Sequence, residues 1–133
     1  MRVLIDTHVL LWFLTDPDRL SRTAYGLITT PENEVLLSVG SLWEIAIKLN
    51  VGKLTLEGLF EEVIPSQLVE ERIEVLPTAM DHLAVFEKLP LYHRDPFDRL
   101  LVAQAMAEGM PIVTRDAAFD RYAVEVLWEK AEG

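Results

Sequence analysis

Five short apolar runs, separated by longer segments with helical periodicity, constrain the fold of this chain more than any other feature. They cover residues 2–5, 34–38, 73–76, 111–114 and 124–127. Runs this short and this apolar are typical of strands that are buried on both faces, as in parallel sheets covered by helices. The alternation predicts an α/β protein, a three-layer α/β/α sandwich with a mostly parallel sheet of about five strands.

Helical patterns fill the intervals between the apolar runs. We expect helices after residue 8, after Ser21, over 42–49 and over 78–89, and a mostly helical hairpin over 54–72 that Pro65 interrupts. Ser41 and Thr78 are each expected to begin a capping box, in which an acidic residue three positions later answers the cap. These segments supply the two outer layers of the predicted sandwich.

The helix predicted from Pro96 to about Glu108 is apolar nearly all round, so we expect it to lie inside the protein. Asp95 suits its N-cap, Pro96 its first helical position and Gly109 its C-cap. Asp98 puts a carboxylate in the first turn, where the helix enters the core. An unpaired charge at this position would be costly, so we expect something to compensate it. The helix dipole accounts for Asp98 about as well as a catalytic or metal-binding role does.

Composition narrows the range of functions. The 133 residues, half of them hydrophobic, are expected to form a single domain over 1–133. The absence of cysteine excludes disulfides, thiolate metal sites and a cysteine nucleophile. The net charge of −10, from 22 acidic and 12 basic residues, argues against nucleic-acid binding by bulk attraction. It does not exclude a nuclease with a metal-loaded acidic pocket.

The distribution of apolar residues gives no sign of a membrane protein. The residues before Asp6 are too few for the hydrophobic region of a signal peptide, and no apolar run approaches the length of a membrane span. We therefore expect no membrane association and a cytoplasmic location.

Four separate segments direct one acid each towards the same edge of the predicted sheet. Asp6 follows the first strand and Asp116 the fourth, while Glu44 and Asp98 are placed in the first turns of helices that start near this edge. The carboxyl ends of the strands form the functional crevice in such sheets. Each acid also has an ordinary explanation, such as a cap or, for Glu44, an ion pair with Lys48.

A divalent cation would resolve the repulsion among these acids. Crowded carboxylates raise one another's pKa and cannot all stay ionised unless a cation is present. Ligand sets of oxygen without cysteine suit Mg²⁺ or Mn²⁺, and acidic metal sites of this kind commonly hydrolyse phosphodiesters. The residues alone thus favour a metal-dependent phosphodiesterase.

Four blocks of the sequence together resemble the PIN-domain family, and more closely its VapC-type toxin ribonucleases. The resemblance covers essentially the whole chain and implies an Mg²⁺- or Mn²⁺-dependent endoribonuclease that cleaves RNA, is inhibited by a VapB-type antitoxin and forms a homodimer. The blocks are Leu4-Ile5-Asp6-Thr7-His8, Ser41-Leu42-Trp43-Glu44-Ile45-Ala46-Ile47-Lys48, Arg94-Asp95-Pro96-Phe97-Asp98-Arg99-Leu100-Leu101-Val102-Ala103-Gln104 and Ile112-Val113-Thr114-Arg115-Asp116.

The resemblance assigns the catalytic and metal-binding roles to Asp6, Glu44, Asp98 and Asp116. It adds a set of auxiliary residues that orient ligands or waters, and flanking basic residues that contact RNA phosphates or act only as counter-ions. His8 stands where many relatives carry a small polar residue, so it is assigned a structural role. The auxiliary residues are Asp95, Thr7, Ser41, Thr114 and Asp120, and the basic residues are Arg94, Arg99, Arg115, Lys48 and Lys53.

Two other kinds of protein are weighed against this interpretation. A catalytically silent PIN-like binding module would keep the fold and the partner surface, to which Trp12, Phe13 and Trp43 would contribute if they are not core residues. A receiver-like signalling domain also binds Mg²⁺ in an acidic pocket. It needs an aspartate after a middle strand and a lysine after a late strand, whereas the third strand here runs into Pro77 and the lysines stand at 48, 53, 88 and 130.

Overall fold

The computed structural model describes residues 1–129 and contains the predicted parallel sheet. Every adjacent pair of its strands is parallel, the order is β3-β2-β1-β4-β5, and β1 lies at the centre. The predicted bounds of the first three strands are confirmed, while the last two strands are shorter than expected. The strands are β1 Arg2–Ile5, β2 Glu34–Ser38, β3 Ile73–Leu76, β4 Ile112–Val113 and β5 Val126–Leu127.

Six α-helices pack on the two faces of this sheet. Side chains alternate along β1, so that Val3 and Ile5 contact one layer and Leu4 contacts the other. The first layer contains α1 to α4 and the second contains α5 and α6, which confirms the predicted three-layer sandwich. The helices are α1 Thr7–Thr15, α2 Arg22–Thr29, α3 Val39–Asn50, α4 Phe60–Glu70, α5 Met80–Glu87 and α6 Pro96–Glu108.

The apolar helix α6 is a buried element, as its sequence predicts. Asp95 is its N-cap, Pro96 its first residue and Gly109, with φ of 65°, its left-handed C-cap. Four of its apolar side chains are at most 2% exposed, and each large apolar side chain buried in this way contributes about 1.5–3 kcal/mol. They are Leu101, Val102, Ala103 and Ala105. Burial of this helix fixes the position of Asp98 in its first turn.

Two predicted capping boxes are wrong. Helix α3 begins directly after β2, so Ser38 is its N-cap and accepts from Gly40 N at 3.0 Å. Ser41 lies inside the helix, and Glu44 lies in its second turn rather than its first. Helix α5 has Ala79 as its N-cap in place of Thr78, and the Nδ1 atom of His82 accepts the Ala79 N–H at 3.0 Å.

The expected hairpin over 54–72 is also wrong. Residues 60–70 form the single helix α4, and Pro65 lies within it without ending it. Proline removes one helical hydrogen bond, but Ile64 and Leu68 of the same helix are buried in the core, and their packing holds the helix together.

The strand order separates this sheet from a receiver domain, whose order is 2-1-3-4-5. Lys130, the one lysine that follows a late strand in sequence, lies outside the described residues. Within residues 1–129, no helix is long and apolar enough to cross a membrane.

Candidate active site

Asp6 is the most deeply buried of the four predicted acids. It follows the central strand and caps α1, so that Oδ1 accepts from Val9 N at 2.8 Å. Its Oδ2 accepts a hydrogen bond from the hydroxyl of Thr114, and the residue is only 5% exposed. Burial raises the pKa of Asp6, while the hydrogen bonds from Thr114 and Val9 lower it. The carboxylate is therefore fixed in orientation at the centre of the sheet edge.

Thr114 connects Asp6 to Asp116. It follows β4, which lies next to β1, and its Oγ1 accepts from Asp116 N at 3.1 Å. Asp116 is exposed and caps the 3₁₀ turn Ala117–Arg121 by accepting from Ala118 N at 2.9 Å. Asp120 lies in the same turn and is exposed to solvent.

Asp98 is surrounded by the other acids. Its side chain is 23% exposed, and its backbone N–H donates to Asp95 Oδ1 at 3.2 Å. Burial is the largest cause that raises the pKa of Asp98, followed by the charges of Asp95, Asp116, Asp6 and Glu44, and together they raise it to about 7. The other three predicted acids thus lie within electrostatic range of Asp98, at the edge that the sequence indicates.

Glu44 reaches this edge from α3. Its carboxylate lies 3.4 Å from Lys48 Nζ, which is the i,i+4 pair that the sequence allows, and its side chain is 14% exposed. Ser41, one turn earlier, is buried, and its hydroxyl has no hydrogen-bond partner among the described residues. An orphaned hydroxyl beside a group of acids can serve a further ligand or a water molecule.

A cleft of about 420 Å³ opens beside Asp6 and Asp116. Its wall includes the half-buried ring of Trp12 and the exposed side chains of His8 and Arg115. The charge of His8 lowers the pKa of Asp6, although less than the two hydrogen bonds do. The cleft gives solvent and a solute access to Asp6 and Asp116.

The basic residues predicted to contact RNA differ in their placement. Arg94 and Arg115 are exposed, and Lys48 is held by Glu44. Arg99 differs from the expectation: it is 7% exposed, and its Nη1 donates to the carbonyl oxygen of Pro90 at 2.9 Å. Its guanidinium points into the protein, where an RNA phosphate does not reach it.

A different group of residues has the shortest spacing between potential metal ligands. Among residues 1–129, Asp81, His82 and Glu108 offer ligand atoms within 4.8 Å of one another, whereas no three of the predicted acids do. His82, however, is satisfied by hydrogen bonds. Its Nδ1 accepts from Ala79 N, so Nε2 carries the proton and donates it to Glu108 at 3.0 Å.

These hydrogen bonds disqualify His82 as a metal ligand. To bind a metal through Nε2, the neutral ring would have to carry its proton on Nδ1, and the Ala79 N–H already donates to that atom. The hydrogen bond from His82 also lowers the pKa of Glu108. The group links α5 to the end of α6 and has a structural role. The acids at the sheet edge remain the better candidates for a cation site.

Sequence reasoning missed His93 and Tyr122. Nε2 of His93 lies 3.5 Å from Asp98 Oδ2, and its Nδ1 lies 2.7 Å from the Tyr122 hydroxyl. The only sequence signal for the contact between His93 and Asp98 is that this histidine lies in a polar loop, five positions before the acid. Nothing in the sequence indicates the contact with Tyr122.

Comparison with known proteins gives a matching family, a related sequence and similar structures. The sequence model of the PIN domain family matches residues 3–125. Ribonuclease VapC22 of Mycobacterium tuberculosis (strain ATCC 25618 / H37Rv) is 29% identical over 119 residues, which are 86% of each chain. VapBC2 from Rickettsia felis, solved bound to a DNA fragment from its promoter, has a TM-score of 0.74 at 17% identity and covers 97% of this chain and 100% of its own.

A toxin-antitoxin complex from Klebsiella pneumoniae has a TM-score of 0.62 at 14% identity and covers 94% of this chain and 95% of its own. At such low identity the two structures show a common fold, and they confirm the three-layer architecture.

Proposed function

The chain belongs to the PIN-domain family, and from this premise we propose that it is a metal-dependent endoribonuclease that acts as the toxin of a toxin–antitoxin pair. The observation that carries the proposal is the position of Asp98, half-buried and repelled by four other acids. Such an arrangement is unfavourable in a protein without a cation. It is favourable where a cation binds during the reaction.

The donor set fits a hard divalent cation. The four carboxylates offer only oxygen, and the chain has no cysteine, which favours Mg²⁺ or Mn²⁺ over softer metals. A bound cation of this kind polarises a phosphodiester and stabilises the charge that develops during in-line hydrolysis. The proposed metal-binding and catalytic residues are Asp6, Glu44, Asp98 and Asp116.

The protein's own contribution is to hold these acids in place before RNA binds. Thr114 and the Val9 N–H orient Asp6, and the Asp95 cap fixes the backbone of Asp98. Preorganised groups avoid the cost of reorganisation during the reaction. Thr114 and Asp95 are therefore proposed as auxiliary residues, together with Thr7, which is buried beside Asp6, and Asp120 in the neighbouring turn.

RNA is the proposed substrate, and the positive charge near the cleft is limited. Arg115 lines the cleft, and Arg94 is exposed beside α6, so these two are proposed to contact phosphates, with Lys48 at the edge of the path. The net charge of −10 leaves little attraction for RNA elsewhere on the chain. The name of the related ribonuclease VapC22 supports this choice of substrate.

The proposal includes two protein partners. A VapB-type antitoxin is proposed because the similar solved structures are VapBC and toxin-antitoxin complexes. A second copy of the chain is proposed to cover an apolar stripe along α3 and its C-cap, where Trp43, Ile47 and Val51 are exposed at a spacing of four residues. A single domain over 1–133 and a cytoplasmic location belong to the same proposal, and one sheet that joins Arg2 to Leu127 supports the first of these.

Cleavage of RNA by the purified full chain tests the proposal. We expect cleavage with Mg²⁺ or Mn²⁺, no cleavage with EDTA, and a rate that falls by about 100-fold or more in Asp98→Asn. Asp18→Asn, which changes an exposed acid of the 3₁₀ turn Pro17–Arg19, is the matched control and should cleave like the wild type. Cleavage that survives EDTA or the Asp98 substitution would contradict the proposal.

The ends of the cut RNA report the nucleophile. Attack by water leaves no 2′,3′-cyclic phosphate, whereas attack by the neighbouring 2′-hydroxyl does. We expect products without cyclic ends. Binding of an antitoxin without cleavage of any RNA tested would instead identify a catalytically silent module.

A further inference from the structure

We propose that His93 is a positioning residue for Asp98, and that Tyr122 and Arg99 hold it in the tautomer that donates to the Asp98 carboxylate. The inference rests on the proposed function, because Asp98 is a cation ligand only there. His93 lies in the loop between α5 and α6, which also supplies the cap of α6. It does not border the cleft beside Asp6 and Asp116.

Arg99 begins the chain of hydrogen bonds. The same nitrogen that donates to Pro90 O also lies 3.3 Å from the carbonyl oxygen of His93 and 3.3 Å from the hydroxyl of Tyr122. A guanidinium stays protonated and can only donate. The Tyr122 oxygen therefore accepts from Arg99, and its own proton remains available for another acceptor.

That acceptor is His93. The hydroxyl of Tyr122 lies 2.7 Å from Nδ1, and the tyrosine is 6% exposed, so no bulk solvent competes for the proton. A neutral imidazole whose Nδ1 accepts carries its proton on Nε2. The chain of donors thus fixes the tautomer of His93.

The Nε2 atom faces Asp98. It is buried, has no hydrogen-bond partner among the described residues, and lies 3.5 Å from Asp98 Oδ2. The other tautomer would turn a lone pair towards a carboxylate, which is repulsive. A buried N–H without an acceptor is unfavourable, so a small closing movement that brings Nε2 and Oδ2 to hydrogen-bond distance is favoured.

Packing restricts the imidazole to this direction. The centroid of its ring lies 5.4 Å from that of Tyr122 in an edge-on arrangement and 6.4 Å from that of Phe119, which is fully buried. The ring cannot swing out without breaking both contacts. The Asp95 cap holds the backbone of Asp98, and after the closing movement His93 holds one carboxylate oxygen and leaves the other oxygen for a cation.

Two substitutions at His93 separate the donor from the rest of the side chain. In His93→Gln the amide nitrogen reaches about as far as Nε2, so the donor towards Asp98 is kept. In His93→Asn the amide reaches only as far as Nδ1, so the contact with Tyr122 is kept and the donor is lost. Tyr122→Phe removes the hydroxyl that sets the tautomer, and Tyr25→Phe on α2 is its matched control.

The primary measurement is Mn²⁺ affinity of the full chain without RNA, obtained from the electron paramagnetic resonance signal of unbound Mn²⁺. We expect His93→Asn to bind about 10- to 100-fold more weakly than the wild type, the usual effect of losing a residue that orients a ligand. His93→Gln should recover most of the affinity, and Tyr122→Phe should lose part of it. With RNA, His93→Asn should lower kcat and leave KM unchanged.

Equal Mn²⁺ affinity of the wild type and His93→Asn would overturn the inference. Equal losses in the Asn and Gln variants, or an equal loss in Tyr25→Phe, would overturn it too, since either result indicates general destabilisation. A wild-type chain that binds no Mn²⁺ would refute the proposed function together with the inference. Binding by the wild type with no change at His93 would refute the inference alone.

Discussion

Replacing Asp98 by asparagine is expected to make the metal-free protein more stable at neutral pH while it removes a cation ligand. Burial and the neighbouring acids raise the pKa of Asp98 in the folded state to about 7, from an ordinary value of 3.8. A carboxyl whose folded pKa is raised binds its proton more tightly in the folded state. Its contribution to stability is therefore lost as the pH rises from about 4 to 7.

The size of the effect follows from the shift. Three pKa units correspond to about 4 kcal/mol of unfolding free energy at pH 8, and asparagine escapes this cost because it carries no charge. It also gives up ~0.3–1 kcal/mol of interaction between a charge and the helix dipole. We expect a net gain of about 2–4 kcal/mol, which for a chain of this length raises Tm by roughly 6–15 °C.

Urea unfolding in EDTA, followed by circular dichroism between pH 4.5 and 8, measures this gain. The difference between Asp98→Asn and the wild type should be small at pH 4.5 and should reach its full size by pH 8. Asp18→Asn, an exposed acid outside the site, should follow the wild type at every pH. Added Mg²⁺ should stabilise the wild type and Asp18→Asn by about 2.7 kcal/mol at 100 times Kd, and should stabilise Asp98→Asn much less.

A variant that is no more stable than the wild type at pH 8 would refute the reasoning, because it would mean that burial and the neighbouring acids do not disfavour the charge of Asp98 in the folded state. A gain that is equally large at pH 4.5 would also refute it. In that case the stabilisation would come from packing or hydrogen bonding and not from the removed charge.

Three further substitutions test other parts of the structure. Asp95→Ala removes the acceptor of the Phe97 and Asp98 N–H groups and should cost about 1 kcal/mol in urea unfolding at pH 4.5, where Asp98 is protonated and is not repelled by Asp95; an unchanged midpoint at that pH would contradict the capping role. Gly109→Ala forces a β-carbon into a left-handed conformation with open space around it, so its cost of about 1 kcal/mol should come from the backbone alone, and no loss in the same assay would argue against that geometry. Trp43→Glu should convert the proposed dimer into a monomer in sedimentation velocity, whereas a dimer that persists would place the interface elsewhere.

The sequence predicts those elements best that carry their own start and stop signals. Helix α6 has an aspartate cap, a proline at its first position and a glycine at its end, and its bounds are confirmed to the residue. The first three strands are short apolar runs between polar breaks, and they too are confirmed. In these cases local chemistry and tertiary packing favour the same boundaries.

The predictions fail where tertiary structure chooses between equivalent local signals. Ser38 and Ser41 can both cap a helix, and β2 ends so close to α3 that Ser38 takes the role and Ser41 is buried. Pro65 ends a helix in isolation, but the packing of α4 overrides it. Even so, Glu44 reaches the acids from the second turn of α3, because it still lies near the start of that helix.

The position of the acids is predictable and their environment is not. Parallel strands bring their carboxyl ends to one edge, so the approach of Asp6 to Asp116 follows from the order of elements. The path from Arg99 through Tyr122 to His93 joins α6 and the loop before it to the C-cap of a 3₁₀ turn, 23 residues after Arg99. No periodicity or cap signal records such a path. For the same reason the sequence predicts Arg99 as a phosphate contact, whereas its guanidinium has a structural role inside the protein.

Titration of the full chain with Mn²⁺ tests most directly the claim that the acids at the sheet edge form a cation site. The wild type, Asp6→Asn, Asp98→Asn and Glu108→Gln are compared by calorimetry, because the last variant alters the other group of closely spaced ligand atoms. The account predicts that Glu108→Gln binds Mn²⁺ like the wild type, while Asp6→Asn and Asp98→Asn lose affinity by about 100-fold or more. Retained affinity in both aspartate variants, with loss in Glu108→Gln, would contradict it.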